Sequence, residues 1–158
     1  MRRFPIRGVY TSPLERAVET AEAIAAMHAL TPVKVEALGE IRIGEWEGLT
    51  LDELEPREDW KRFNAYRGGA RAPGGELMLE TQTRMVCELA RLRAAHRDET
   101  VAVVSHGDPL RAAAAHYLGM PLDLVHRLEI EPGSLSVIEA GDWGARVLRL
   151  NGTGDELP

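Results

Sequence analysis

His106, Arg16 and Glu76 are the side chains in this sequence whose type and setting could do chemistry. His106 lies in Val101-Ala-Val-Val-Ser-His-Gly-Asp-Pro-Leu-Arg, where a short β-branched run gives way at once to a helical pattern. The run has the length and composition of a buried parallel strand. Pro109 suits the first helical position and Gly119 the residue just past the helix end. His106 is therefore expected at the carboxyl end of a strand, beside free amides at a helix N-terminus, where α/β sheets bind ligands and a phosphate is stabilised. The plainer alternative is a histidine that only satisfies a turn.

Arg16 belongs to a second strand-turn-helix unit, Gly8-Val9-Tyr10-Thr11 followed by Ser12-Pro13-Leu14-Glu15-Arg16-Ala17-Val18-Glu19-Thr20-Ala21. Ser12 reads as an N-cap, Pro13 as the first helical residue and Glu15 as the acid of a capping box. Leu14, Ala17, Val18, Ala21, Ile24 and Ala25 make an apolar stripe at helical spacing. Arg16 lies off that stripe in the first turn, where the helix dipole disfavours a cation. A bound anion would account for it; a solvated arginine is the alternative.

Four stretches in order, Tyr10 to Ala17 with Thr20-Ala21, Glu40-Ile-Arg-Ile-Gly-Glu-Trp-Glu-Gly48, Pro73-Gly-Gly-Glu76 and Val104-Ser-His-Gly107, resemble the histidine phosphatase superfamily. That superfamily includes cofactor-dependent phosphoglycerate mutases and many small-molecule phosphatases. The resemblance implies a three-layer α/β sandwich with a mostly parallel sheet. It implies a small phosphorylated metabolite as substrate, Arg16 and His106 as phosphoryl-clamping residues, and Glu76 as the acid that protonates the leaving oxygen. Ser12, Gly107 and Trp46 of the matched stretches are candidate substrate contacts. Glu76 in that role should have a raised pKa beside phosphate; the alternative is an acid favoured by a helix N-terminus. Arg67 and Arg71, just before Glu76, could meet a second anionic group or be simply solvated, and Asp108 adds negative charge that could tune substrate choice.

The family's opening Leu-x-Arg-His-Gly, whose histidine is the nucleophile, has no match here. The first histidine is His28, inside the first helical pattern. The chain therefore reads as a family member lacking its first strand and first helix, inactive as written. The competing readings are a catalytically dead domain that binds phosphate or a partner, and His106 acting as the phosphorylated residue. An exposed sheet region would then favour homo-oligomers or a rearranged Arg3 to Val9 segment.

Composition bounds the rest. The 158 residues suit one domain, at 44% hydrophobic and 28% charged. A net charge of −6 with no basic stripe argues against nucleic acid. The single Cys87 suits a reducing, cytoplasmic setting, and no signal peptide or membrane span is visible. His28, His96, His116 and His126 lack metal-ligand spacing, so neither metal nor organic cofactor is expected. Without Gly-x-Ser-x-Gly, Ser105 is a poor hydrolase nucleophile.

The remaining elements must position these residues. Pro32 to Val35 reads as a short strand. Residues 38–75 read as a loop-rich insertion or lid with short helices at Leu49 to Leu54 and Glu58 to Phe63, its aromatics serving either the lid or a satellite core. Glu76 to Ala95 reads as an amphipathic helix. Ser134 to Glu139 and Ala145 to Asn151 read as a hairpin, and the tail from Gly152 as frayed.

Overall fold

The computed structural model describes residues 5–153. At its centre is β1 (Ile6–Thr11), flanked in parallel by β2 (Val33–Lys34) and β3 (Thr100–Val104). Val9 pairs with Ala102, Thr11 with Val104, and Tyr10 with both Val33 and Val103. Parallel neighbours need long crossovers, and helices supply them. The first is α1 (Glu15–Ala26); the second carries α2 (Leu51–Leu54), α3 (Glu58–Ala65) and α4 (Met78–Ala95). After β3 the chain enters α5 (Gly107–Leu118) and a 3-10 segment at Leu122–Arg127. It then forms the antiparallel hairpin of β4 (Leu135–Gly141) and β5 (Gly144–Gly152).

Alternation along the strands sorts the layers. Ile6, Val9 and Ala102 pack on Ala21 and Ala25 of α1. On the opposite side Tyr10 and Val103 pack with Leu38, Met85 of α4 and Ala113 of α5. The result is the α/β architecture expected, with α1 on one face of the sheet and α4 with α5 on the other.

The insertion is partly helical and well anchored. Trp46 is completely buried, edge-on to Trp60 and Phe63 with ring centroids 5.2 Å away in each case. These rings join Leu54, Met78, Ala112, Ala115 and Val125 in one cluster. Trp46, Trp60 and Phe63 therefore form a core that ties residues 38–75 to α5, while Tyr66 is exposed.

Several boundaries differ from the sequence reading. The first helix starts at Glu15 with Leu14 as its cap, so Pro13 precedes it and Glu15 closes no capping box. Ser12 instead stabilises the turn, its Oγ accepting from Leu14 N–H at 3.2 Å. In α5 the helix begins at Gly107, two residues ahead of Pro109, which is tolerated because the first-turn N–H groups lack intrahelical acceptors. Gly119 ends it at φ 65°, a left-handed conformation that glycine adopts without penalty. Glu76 lies before α4, which starts at Met78. Of the segment Arg3 to Val9, Ile6–Val9 lies in the central strand, while Arg3 and Phe4 lie outside the described residues. Gly152 closes β5, and the rest of the tail beyond residue 153 is likewise outside them. No described helix is long and apolar enough to cross a membrane.

Candidate active site

The ends of β1 and β3 bring Ser12 and His106 together. The parallel register places Thr11 beside Val104, and Ser12 N–H donates to the Val104 carbonyl at 3.0 Å. The next residues out therefore meet side chain to side chain: Ser12 Oγ lies 2.7 Å from His106 Nε2, with both residues buried. His106 is also the cap residue of α5. The N–H groups of Gly107 and Asp108 that follow are free of intrahelical acceptors, and the helix dipole adds partial positive charge there. Burial, reinforced by the positive fields of Arg16 and Arg84, pushes the His106 imidazole down to about 4, so it is uncharged at neutral pH.

Glu76 is fixed by the docking of two loops. Glu76 N–H donates to the Arg42 carbonyl at 2.8 Å, and Arg42 N–H donates to Glu76 Oε2 at 3.0 Å. Glu45 N–H reaches the Pro73 carbonyl at 2.9 Å. Glycine is required at this junction: a Cβ on Gly75 would overlap the Arg42 carbonyl, and one on Gly44 the Pro73 carbonyl. The second and third matched stretches are thus halves of one backbone-to-backbone contact.

Arg84 of α4 then clamps the assembly. Its Nε and Nη2 donate to the two oxygens of Glu76 at 3.0 and 3.1 Å. Its remaining N–H groups reach the carbonyls of Ala37, Gly39 and Glu40 at 2.7, 2.8 and 2.9 Å. All five guanidinium donors are used. Burial pushes the Glu76 carboxyl up, but the Arg84 pair and the Arg42 N–H outweigh it and leave it below the ordinary carboxylate value. The raised value expected of a proton donor is not present in this arrangement, because Arg84 stabilises the ionised form. Burial pushes the neighbouring Glu40 carboxyl up.

A cleft of about 540 Å³ opens beside these groups, lined by Pro13, Arg16, Glu40, Arg42, Glu47 and Arg84 among others. Arg16 and Arg42 are exposed, and among the described residues neither forms an ion pair. Arg84, paired with Glu76, lines this cleft with Arg16, and both cations act on the ring of His106, which Ser12 engages. Arg84 and Arg42 were not singled out in the sequence. No local spacing marked Arg84, because Glu76 lies before α4 and meets it only through the fold of the preceding turn.

Other candidates fall elsewhere. Arg67 is not a loop arginine open to substrate. It is 2% exposed, paired with Asp108, and its guanidinium lies 4.3 Å from the Phe63 ring centroid. Asp108 is correspondingly engaged by Arg67 and lies near Arg111. Arg71 is exposed but held by Glu80 and the Gly75 carbonyl. The buried Trp46 ring offers no surface to a ligand. Gly107 contributes its backbone at the α5 N-terminus. Among the described residues no group of three or more His, Cys, Asp or Glu is placed to hold a metal ion.

Comparison with known proteins agrees with this architecture. The model of the histidine phosphatase superfamily (branch 1) matches residues 1–153, and the chain belongs to that superfamily. It is 32% identical over 145 residues to phosphoserine phosphatase 1 of Hydrogenobacter thermophilus, covering 90% of this chain and 69% of that protein. It is 31% identical over 159 residues to a probable phosphoglycerate mutase GpmB of Yersinia pestis, covering 98% and 74%. A bifunctional protein of Mycobacterium tuberculosis is 34% identical over 155 residues, 97% of this chain but 43% of that protein. Among solved structures, YhfR of Bacillus stearothermophilus superposes with a TM-score of 0.89 at 27% identity, covering 94% of this chain and 75% of that one.

Proposed function

We propose that this domain binds the phosphoryl group of a small phosphorylated metabolite at the Arg16–His106 end of the sheet, as part of a phosphomonoesterase. The observation that carries the reading is Arg16, which forms no ion pair among the described residues, lines a cleft shared with Glu36, Glu40 and Glu47, and lies close enough to the uncharged His106 at the start of α5 to act on its ring. A phosphomonoester carries close to two negative charges, and its transfer depends chiefly on positioning and on neutralising them. Arg16 supplies the mobile positive charge, the α5 amides and the imidazole supply directed hydrogen bonds, and Arg84 acts through its field because its donors are already used. Glu76, held as a carboxylate, is the group that receives or returns a proton at the leaving oxygen or water. Similarity to a phosphoserine phosphatase and to a probable phosphoglycerate mutase supports phosphoryl chemistry on a small metabolite. The exposed Cys87 thiol suits a reducing, cytoplasmic setting.

The 158 residues contain no Arg-His-Gly. A polypeptide of these residues alone is therefore expected to bind phosphate without phosphohistidine turnover, since no second histidine shares the site. Calorimetric titration with inorganic phosphate tests the site. Arg16→Ala should weaken binding about tenfold or more, the loss of one charge-assisted contact. Unchanged affinity in Arg16→Ala, or p-nitrophenyl phosphate turnover that disappears in His106→Ala, would overturn the assignment of roles.

A further inference from the structure

The environment of the Ser12 hydroxyl determines where His106 carries its proton. Leu14 N–H donates to Ser12 Oγ at 3.2 Å, and His106 Nε2 lies 2.7 Å from the same oxygen. Ser12 has no exposed surface. Its backbone is occupied as well, the N–H by Val104 and the carbonyl by the Thr11 hydroxyl at 3.1 Å.

A hydroxyl offers one donor and two lone pairs. Leu14 takes one lone pair. If His106 were protonated on Nε2, that N–H would take the other, and the Ser12 O–H would be buried without an acceptor among the described residues. An unmade buried hydrogen bond of this kind is costly. The alternative satisfies the hydroxyl: Ser12 O–H donates to a bare Nε2, and the ring proton sits on Nδ1, which has no partner among the described residues and is left to solvent or a ligand.

We propose that Ser12 is a positioning residue that fixes His106 as the neutral Nδ1–H tautomer, so that His106 meets a phosphoryl oxygen through Nδ1–H alone. The identity of the ligand rests on the phosphate-binding reading above; the tautomer does not. The charged groups acting on the ring are Arg16 from α1 and Arg84 from α4. Both are cations and both disfavour an imidazolium, which is consistent with a ring that acts as a directed dipole. With Nε2 engaged by Ser12, that nitrogen is also withheld from attack on phosphorus. His106 therefore does not stand in as a phosphorylated residue through Nε2 while this bond is intact.

Long-range proton–nitrogen correlation spectra of the uniformly ¹⁵N-labelled protein, with His106 assigned through His106→Gln, read the tautomer directly. At neutral pH the expected result is an unprotonated Nε2 and a protonated Nδ1. A protonated Nε2, or an even mixture, would overturn the proposal without any further variant. In Ser12→Ala the two tautomers should interconvert, and the His106 midpoint should rise by roughly one pH unit, the equivalent of one lost hydrogen bond to the neutral form. Ser12→Thr should restore both, whereas an Ala variant with the original tautomer and midpoint would sink the idea. Adding inorganic phosphate to the unsubstituted protein separates the two readings. Absence of any binding defeats the phosphate assignment and leaves the tautomer standing; binding that perturbs Nε2 and spares Nδ1–H defeats the positioning role.

Discussion

His106 ties the chemistry of the site to the stability of the fold. Its folded midpoint of about 4 lies below the ordinary 6.5 because burial and two nearby cations oppose the charged ring. Between those values the unfolded chain takes up a proton that the folded chain refuses. Unfolding free energy must therefore fall as pH is lowered through this window and level off beneath it. The stabilisation is complete above pH 6.5. Urea midpoints measured in steps from neutral pH downward should decline, and His106→Gln should flatten the upper part of the decline. A variant that keeps the full slope would place the titration on another group, such as His126, which burial and Arg67 also push down. Glu76 titrates in the opposite chemical sense but with the same consequence: held below 4.5 by Arg84, it loses stabilisation as acid protonates it. In Arg84→Met the Glu76 midpoint should rise, readable from its side-chain carboxyl carbon shift. An unmoved midpoint would mean that the Arg42 N–H alone holds the carboxylate.

At the scale of elements, the site depends on loops that touch by backbone. Gly75 passes so near the Arg42 carbonyl that Gly75→Ala forces the two loops apart. Such overpacking typically costs about 1–3 kcal/mol. It should also loosen the Glu76 N–H bond to Arg42, so the melting temperature and phosphate affinity should fall together. A drop in stability with affinity intact would separate the loop junction from the binding site. Trp46 probes the other side of the insertion. Removing its ring from the cluster with Trp60 and Phe63 should cost roughly 3–5 kcal/mol, the range for a large aromatic truncated in a core. Because the ring is buried, its effect on phosphate affinity at a temperature where the variant stays folded should be small. A selective loss of affinity would restore Trp46 to the site.

For the whole molecule, the described sheet bears on a prediction about association. Among the described residues β3 pairs only with β1, and the β4–β5 hairpin forms a separate sheet. One side of the Val101–Val104 run thus presents backbone donors and acceptors without strand partners among the described residues, between the half-buried Val101, Val103 and Val104 and the buried Ala102. An unpaired apolar edge is a template for another strand. We expect a polypeptide of these 158 residues to self-associate in a concentration-dependent manner, visible by light scattering behind a sizing column. Lysine in place of Val101 should suppress it, as charges do on natural edge strands. A monomer at all accessible concentrations would show that the edge is covered.

Local sequence determined the units from which the protein is built. The β-branched run before His106, the alanine stripe of α1, the glycine at the end of α5 and the alternating segments of the hairpin each encode their element within a few residues. The matched stretches also revealed the family, because Ser12, Arg16, Glu76 and His106 lie on or beside elements with strong local signals. The tertiary structure alone decided what those residues do to one another. Arg67, indistinguishable in sequence from a solvated loop arginine, is buried because Asp108, remote in the chain, arrives beside it at the start of α5. Glu76 is an ionised partner rather than a resting acid because Arg84 folds back over it from two turns along α4. Ser12 became a partner of His106 rather than a helix cap once parallel pairing set the strand ends side by side. Hydrophobic period and turn chemistry act over neighbouring residues and can be read in order. Burial, charge pairing and proton placement depend on groups that only the packed chain brings within bonding distance.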